Sequence, residues 1–296
     1  MSNSLTRQKF CPQKLFDALC YSSAAYIFLL CGKVELSNAQ SQVQVKTNRY
    51  LQVEQIQGNV FLRNQNTNRP ARRGDRLTNI GDEIVTSGKS TAILSVDTGV
   101  GFVNVSEQTT VRINSLQISN DNGRITNLLV SRGIVRLQIR RFTNPNSRFD
   151  IQTPAVVTGV RGTEYVINVK NDGRTILSTL DGTVNTFAQN IDVLVDKGFQ
   201  NQTVVGEPPS QPVSIQDNVD LDYQVLKPVE NEGRQVILVG NIDSANIVSI
   251  DGVSQEVDRD GQFRSVLTTN SIYRTEIQVI VATPSGKQRT YDLVIY

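Results

Sequence analysis

From Tyr50 onward, apolar residues alternate with polar ones in short runs, and Gly, Asn or Asp interrupts each run. Alternation at a period of two places apolar side chains on one face of an extended segment, which is the pattern of a half-buried strand. Ala92 to Val96, Phe102 to Val105, Ile134 to Ile139 and Tyr165 to Val169 all read this way. No stretch keeps the 3.6-residue apolar spacing of a helix over about ten residues. Carboxylates cluster beside glycine, as in Gly81-Asp82, Asp172-Gly173, Asp181-Gly182, Asp251-Gly252 and Asp260-Gly261. Asp-Gly is the common chemistry of tight hairpin turns. The expected fold class is all-β.

A weaker signal suggests how the strands stack. The pattern G-x-V recurs at Gly58, Gly133 and Gly182, each glycine preceded by a polar residue (Gln57, Arg132, Asp181). These glycines are 75 and 49 residues apart, near multiples of a coil of about 25 residues. Gly81, Gly159 and Gly206 fall near the intermediate steps. Stacked rungs that turn at a common corner explain such spacing, so a β-solenoid or twisted β-roll is expected over residues 40–205.

Residues 153–165, T-P-A-V-V-T-G-V-R-G-T-E-Y, carry the most specific information. Pro154 forces Thr153 into an extended conformation. Gly159 and Gly162 bracket Val160-Arg161, so the backbone can turn or approach a neighbouring segment there. From Thr163 the alternation resumes, with Tyr165, Ile167 and Val169 on one face. This run resembles the signature of the ferric-citrate-regulator (FecR) type domain, T-P-x-A-x-x-G-V-R-G-T-E-[FY]. The resemblance covers about half the chain and implies an extracytoplasmic all-β domain. Within the signature, Arg161 and Glu164 have two readings: a buried ion pair that pins the turn, or a site for an anionic ligand.

Six arginines, Arg124, Arg132, Arg136, Arg140, Arg141 and Arg148, lie between Asp121 and Asp150 with no acid among them. On the strand from Ile134 to Ile139, Arg136, Gln138 and Arg140 would point away from the core. The functional reading is a surface for an anionic polysaccharide, lipid headgroups or an acidic protein, with Arg136 and Arg140 as its centre. The bland reading is a solvated strand face. Nucleic acid is not expected, because the run lacks the interleaved aromatics of a single-strand platform.

Several enzyme classes are excluded by what is missing. The chain has no histidine, and its three cysteines, Cys11, Cys20 and Cys31, all lie in the first 39 residues. Imidazole-dependent nucleophile systems and His/Cys metal sites therefore have no ligands or bases to draw on. Paired-carboxylate chemistry, as in glycoside hydrolysis, remains open but ranks last, since most acids sit in turns. Neither a metal nor a cofactor is expected.

Residues 1–39 read as an export signal. Arg7, Lys9 and Lys14 precede an uncharged stretch over residues 18–32, and Ser37-Asn38-Ala39 offers small residues for cleavage before Gln40. The apolar run falls short of the roughly 20 residues of a permanent span, although a retained anchor is the alternative. Residues 206–222, with Pro208, Pro209 and Pro212, read as a stiff linker. Residues 223–296 carry evenly spaced short strands between Asp-Gly turns, as in a small β-sandwich. The run from Val248 to Phe263 resembles bacterial Ig-like modules. Regulators of the resembled family join a cytoplasmic sigma-binding segment, one span and a receptor-sensing domain. Only about 17 residues precede the apolar stretch here. The first expectation is therefore an exported, non-enzymatic binding or scaffold protein of the periplasm or cell exterior. The second is a membrane-anchored signalling protein that senses a receptor or envelope partner.

Overall fold

The structure, a computed structural model, describes residues 49–226, 235–268 and 274–295. The expected export signal and all three cysteines lie outside the described residues. Among the described residues every regular element is a strand.

The first lobe consists of two large sheets. In spatial order, one contains β4 (Arg76–Leu77), β1 (Leu51–Gln57), β6 (Thr91–Val96), β7 (Gly101–Val105) and the second half of β9 (Arg124–Ile139). It continues through β12 (Glu164–Val169), β13 (Thr175–Asp181), β16 (Phe199–Thr203) and β17 (Val213–Ser214). The other sheet runs through β3 (Asn68–Pro70), β2 (Val60–Arg63), β5 (Glu83–Thr86), β8 (Thr110–Ile118) and the first half of β9. It ends with β10 (Arg148–Gln152), β11 (Val157–Val160), β14 (Thr183–Ala188) and β15 (Ile191–Asp196). Alternate residues of both sheets, among them Val53, Leu94, Leu137 and Ile167 from one and Leu62, Ile113, Phe149 and Val184 from the other, form one buried apolar cluster. Each such side chain contributes about 1.5–3 kcal/mol through removal from water.

The three G-x-V glycines share one role. Gly58 joins β1 to β2, Gly133 lies within β9, and Gly182 joins β13 to β14; at each the chain crosses from one sheet to the other. All three have positive φ (+73°, +93° and +79°), a region that favours glycine. Each also presses on a buried hydroxyl residue at a neighbouring crossing. A Cβ on Gly58 would meet Ser90 Oγ at 2.5 Å, one on Gly133 would overlap Thr109, and one on Gly182 would meet Thr163 Cγ2 at 2.8 Å. At two of these corners the next residue's N–H donates to the hydroxyl: Asn59 to Ser90 Oγ at 2.9 Å and Ile134 to Thr109 Oγ1 at 2.9 Å.

The expected 25-residue period does not extend beyond these corners. Gly81 and Gly206 have no neighbouring atom that a Cβ would touch, and Gly159 lies within β11. Among the described residues every ladder is antiparallel except β9–β10. The three glycines mark crossings between the two sheets.

The second lobe has its own apolar cluster, built from Val236, Leu238, Val248, Ile250, Phe263, Val279 and others. One sheet holds β18 (Asp222–Leu226), β19 (Gln235–Asn241) and β22 (Gln262–Thr268). The other holds β21 (Val253–Gln255), β20 (Ile247–Ile250), β23 (Thr275–Ala282) and β24 (Gln288–Ile295). Asp251 and Gly252, with φ of +49° and +76°, close the two-residue hairpin between β20 and β21.

Two expectations about the linker and second lobe change. The proline-rich segment does not stand free as a spacer. Ser210 N–H donates to Gln202 O at 2.9 Å, Gln202 N–H to Ser210 Oγ at 3.1 Å, and β17 pairs with β16. An edge strand tolerates neighbouring prolines because its outer side needs no donors. Nor is the second lobe held apart: residues 47–296 form one compact unit. Its residues Ile247, Ser254 and Glu256 face Asn168 and Lys170, while Ser244 and Ala245 face Ile176 and Gln200. Arg174 is fully buried and donates through Nη2 to Val257 O at 2.9 Å. Ser254 N–H donates to Glu107 Oε1 at 3.0 Å. β12 and β13 are thus covered on both faces, which accounts for the burial of every residue from Tyr165 to Val169 and from Thr175 to Thr179.

Candidate functional site

The signature residues build a corner where β9 leaves the first sheet. Gly162, at φ +137°, lies on the backbone of Arg141; a Cβ there would stand 2.8 Å from Arg141 N and 2.9 Å from its Cβ. On either side the segments are joined: Phe142 N–H donates to Arg161 O at 3.0 Å and Ile139 N–H to Thr163 O at 2.9 Å. This contact sets Arg161 beside Arg140 and Arg141. Thr153 shapes the preceding turn. Its Oγ1 accepts from Val156 N–H at 3.1 Å and from Ala155 N–H at 3.3 Å, and it meets Thr175 Oγ1 at 2.9 Å, with Pro154 inside the turn. Gly159 leaves room for the Asp150 carboxylate, whose Oδ1 would lie 3.3 Å from a Cβ. Thr163 is the corner residue under Gly182, and Tyr165 is fully buried in the core. Burial raises the Tyr165 phenol well above its usual value, a shift that Thr158 opposes.

An open cleft of about 800 Å³ lies over this corner. Phe102 and Gln138 line it from β7 and β9, Glu164 and Asp181 from β12 and β13, and Arg140, Arg141 and Arg161 from the joined turns. Phe102, Glu164 and their neighbour Gln138 are in register across three strands.

The two carboxylates are already partnered. Glu164 accepts from Gln138 Nε2 at 3.0 Å and from Arg136 through Nη2 at 2.6 Å and Nε at 2.9 Å. The Gln138 bond is the largest effect that holds its carboxyl below the usual range; burial opposes it, the Arg136 hydrogen bond and charge assist it, and Asp181 opposes weakly. Asp181 pairs with Lys197 at 3.1 Å. The lowered Glu164 carboxyl is the opposite of the raised one that a glycosidase acid needs. The expected Arg161–Glu164 pair is not formed. Arg136 reaches Glu164 first from the adjacent strand, where the two residues lie on one face two positions apart in register.

The arginine ladder divides for the same reason. Arg124 lies 3.8 Å from Asp97, Arg148 pairs with Asp150 at 2.7 Å, Arg136 with Glu164, and Arg132 Nε donates to Gln108 O at 3.3 Å. Arg140, Arg141 and Arg161 are exposed and, among the described residues, make no side-chain hydrogen bond or ion pair. Of the four residues singled out from sequence, Arg140, Arg161 and Glu164 line the cleft, and Arg136 grips Glu164 from beside it. Arg141, Phe102 and Asp181 also line it. Arg141 was legible as the neighbour of Arg140; Phe102 and Asp181 read only as a strand residue and a turn residue, and strand register brings them to the cleft.

Chemically, the cleft offers three uncommitted guanidinium groups next to an exposed ring. Such groups present planar paired donors that match carboxylates. Among the described residues no group of three or more His, Cys, Asp or Glu side chains could hold a metal. No helix among them is long and apolar enough to cross a membrane.

Residues 82–185 match the family model described as FecR protein. Every residue named as lining the cleft falls inside that range. No curated protein matches the chain. Two crystal structures, at 2.50 and 1.65 Å resolution, of a protein from Parabacteroides distasonis ATCC 8503 assigned as an anti-sigma factor are similar. Each shares 14% identity and a TM-score of 0.38, and the alignment covers 45% of this chain and 59% of that one.

Proposed function

We propose that this chain is a non-enzymatic regulatory protein whose FecR domain receives an acidic segment of a protein partner in the arginine cleft. The observation that carries this reading is the set of three unpaired arginines gathered by the G-V-R-G turn. Arginines that lack an intramolecular partner and share a concave surface favour an anionic ligand and speed its encounter. The family match supports a signalling role over a passive scaffold, and a signalling role favours a protein partner. Nothing in the comparisons favours an anionic polysaccharide. The second lobe then acts as a docked support for the first, with the two-sheet form of an Ig-like module. The basic start and apolar run of residues 1–39 favour placement outside the cytoplasm, cleaved or anchored.

Photo-crosslinking tests this reading. A benzophenone amino acid at position 161 of the full chain, expressed in its own host, is expected to trap one protein through an acidic stretch. The same probe at position 63, on the exposed end of β2, should not trap it. Trapping only of glycan, or equal trapping from both positions, would remove the proposal.

A further inference from the structure

The first lobe has four sheet edges, and three are blunted. β3 is three residues long and ends at Pro70, β4 is two residues long, and β17 is two residues long and follows Pro212. The fourth, β15, has six residues and, among the described residues, pairs only with β14. Short strands and prolines protect edges from pairing with other chains. β15 lacks both devices.

The hairpin geometry fixes which groups β15 leaves open. Gln189 and Asn190, with φ of +52° and +59°, close a two-residue turn between Ala188 and Ile191. Ile191, Val193 and Val195 therefore exchange backbone hydrogen bonds with β14, and Asp192, Leu194 and Asp196 turn their N–H and C=O groups to the open side. The side chains of those same three residues are exposed on the outer face, Leu194 at 63%. Phe187 and Val157, paired in register on β14 and β11, extend the apolar surface beside Leu194.

Charge selects the occupant. Among the described residues, Asp192 hydrogen-bonds only with the neutral Asn185 amide, at 2.7 Å, and Asp196 only with the Thr183 hydroxyl, at 2.6 Å. A second copy paired antiparallel about Leu194 would set Asp192 of each chain opposite Asp196 of the other. Like charges directly opposite oppose pairing. A strand with lysine or arginine at those two positions and an apolar residue between them meets no such obstacle. We infer that β15 is a docking edge for an extended cationic segment of a partner protein, which adds to the second sheet as a further strand. This edge meets the arginine cleft at Thr183, the partner of Asp196, but prefers a ligand of the opposite charge.

Amide hydrogen exchange on the full chain tests the inference, with the capped peptide Lys-Thr-Val-Thr-Lys as probe. Saturating peptide is expected to slow exchange at Asp192, Leu194 and Asp196 by about tenfold or more. A version N-methylated on alternate amides keeps its charge but cannot pair, and should give no protection. Asp192→Asn with Asp196→Asn, which keeps the neighbouring hydrogen-bond acceptors, should abolish most of the effect without shifting the urea midpoint. The inference is overturned by unchanged exchange, by equal protection from the methylated peptide, or by protection that grows with protein concentration alone. The last result would make the occupant a second copy.

Discussion

Gly133→Ala is expected to be the most damaging single-methyl addition in the first lobe. Three effects add at this site. A non-glycine residue at φ +93° costs about 1–2 kcal/mol in backbone strain. The new methyl would stand within 2.6 Å of Thr109 Cα and 2.7 Å of its Cβ, and relieving such overlap costs about 1–3 kcal/mol. Moving Thr109 away also weakens the hydrogen bond from Ile134 N–H to its hydroxyl, worth about 1 kcal/mol. The sum is about 3–6 kcal/mol, a large part of the roughly 5–15 kcal/mol that holds a domain folded. Gly198→Ala isolates the first effect, since φ there is +82° and no atom lies within 4 Å of the added methyl. Its loss should be only about 1–2 kcal/mol. Urea denaturation followed by far-ultraviolet circular dichroism measures both. Thr109→Ala should not rescue Gly133→Ala, because the closest remaining contact is with backbone. Equal losses at positions 133 and 198 would refute the view that this corner joins the two sheets by close packing.

Three further outcomes follow from the same structure. Arg161→Ala should leave stability within about 0.5 kcal/mol of wild type, as for other exposed positions without partners; a loss above about 1.5 kcal/mol in urea would restore a structural role for this arginine. Arg174→Ala should release the lobes, because it removes the bond to Val257 O and leaves a gap where a fully buried side chain lay; limited proteolysis between residues 206 and 222 should accelerate, and unchanged cleavage would argue against Arg174 as the pin. Lys170 gives a pH signature. Burial pulls its ammonium down to about 8 from 10.5, with Glu256 and Asp172 opposing and Arg174 assisting. Between those values the unfolded chain holds more protons, so stability rises with pH across that window. Lys170→Met should flatten the rise in urea midpoint, and an identical pH dependence in the variant would show that other groups cause it.

Much of the first lobe was legible because alternation depends only on adjacent residues. The strands from Ala92, Phe102 and Tyr165 appear where the pattern put them, as do the Asp-Gly turns. The G-x-V corners were visible as a repeat, but their cause was not: the clash partners Ser90, Thr109 and Thr163 lie 32, 24 and 19 residues from their glycines, at no fixed spacing. Sheet crossing and a parallel coil both require glycine at intervals, and only pairing direction separates them. Glu164 illustrates the limit at the site. Its nearest arginine in sequence is Arg161, yet the pairing of β9 with β12 brings Arg136 within 2.6 Å. Arg49 and Arg174 were missed for a related reason. Each is buried, Arg49 by contacts to Asp97, Gln117 O and Thr126, and nothing in the local pattern distinguishes a buried arginine from a solvated one.

Whether Arg140, Arg141 and Arg161 act together as the site for an acidic partner segment is read from the affinity of the full chain for the partner trapped at position 161, measured by calorimetry across a salt series beside a variant with all three arginines changed to glutamine. Wild-type affinity is expected to fall steeply with salt, while the variant binds at least about tenfold more weakly and with a flatter salt dependence, at unchanged urea midpoint. Equal affinity and equal salt dependence in the two proteins would rule out the arginine site.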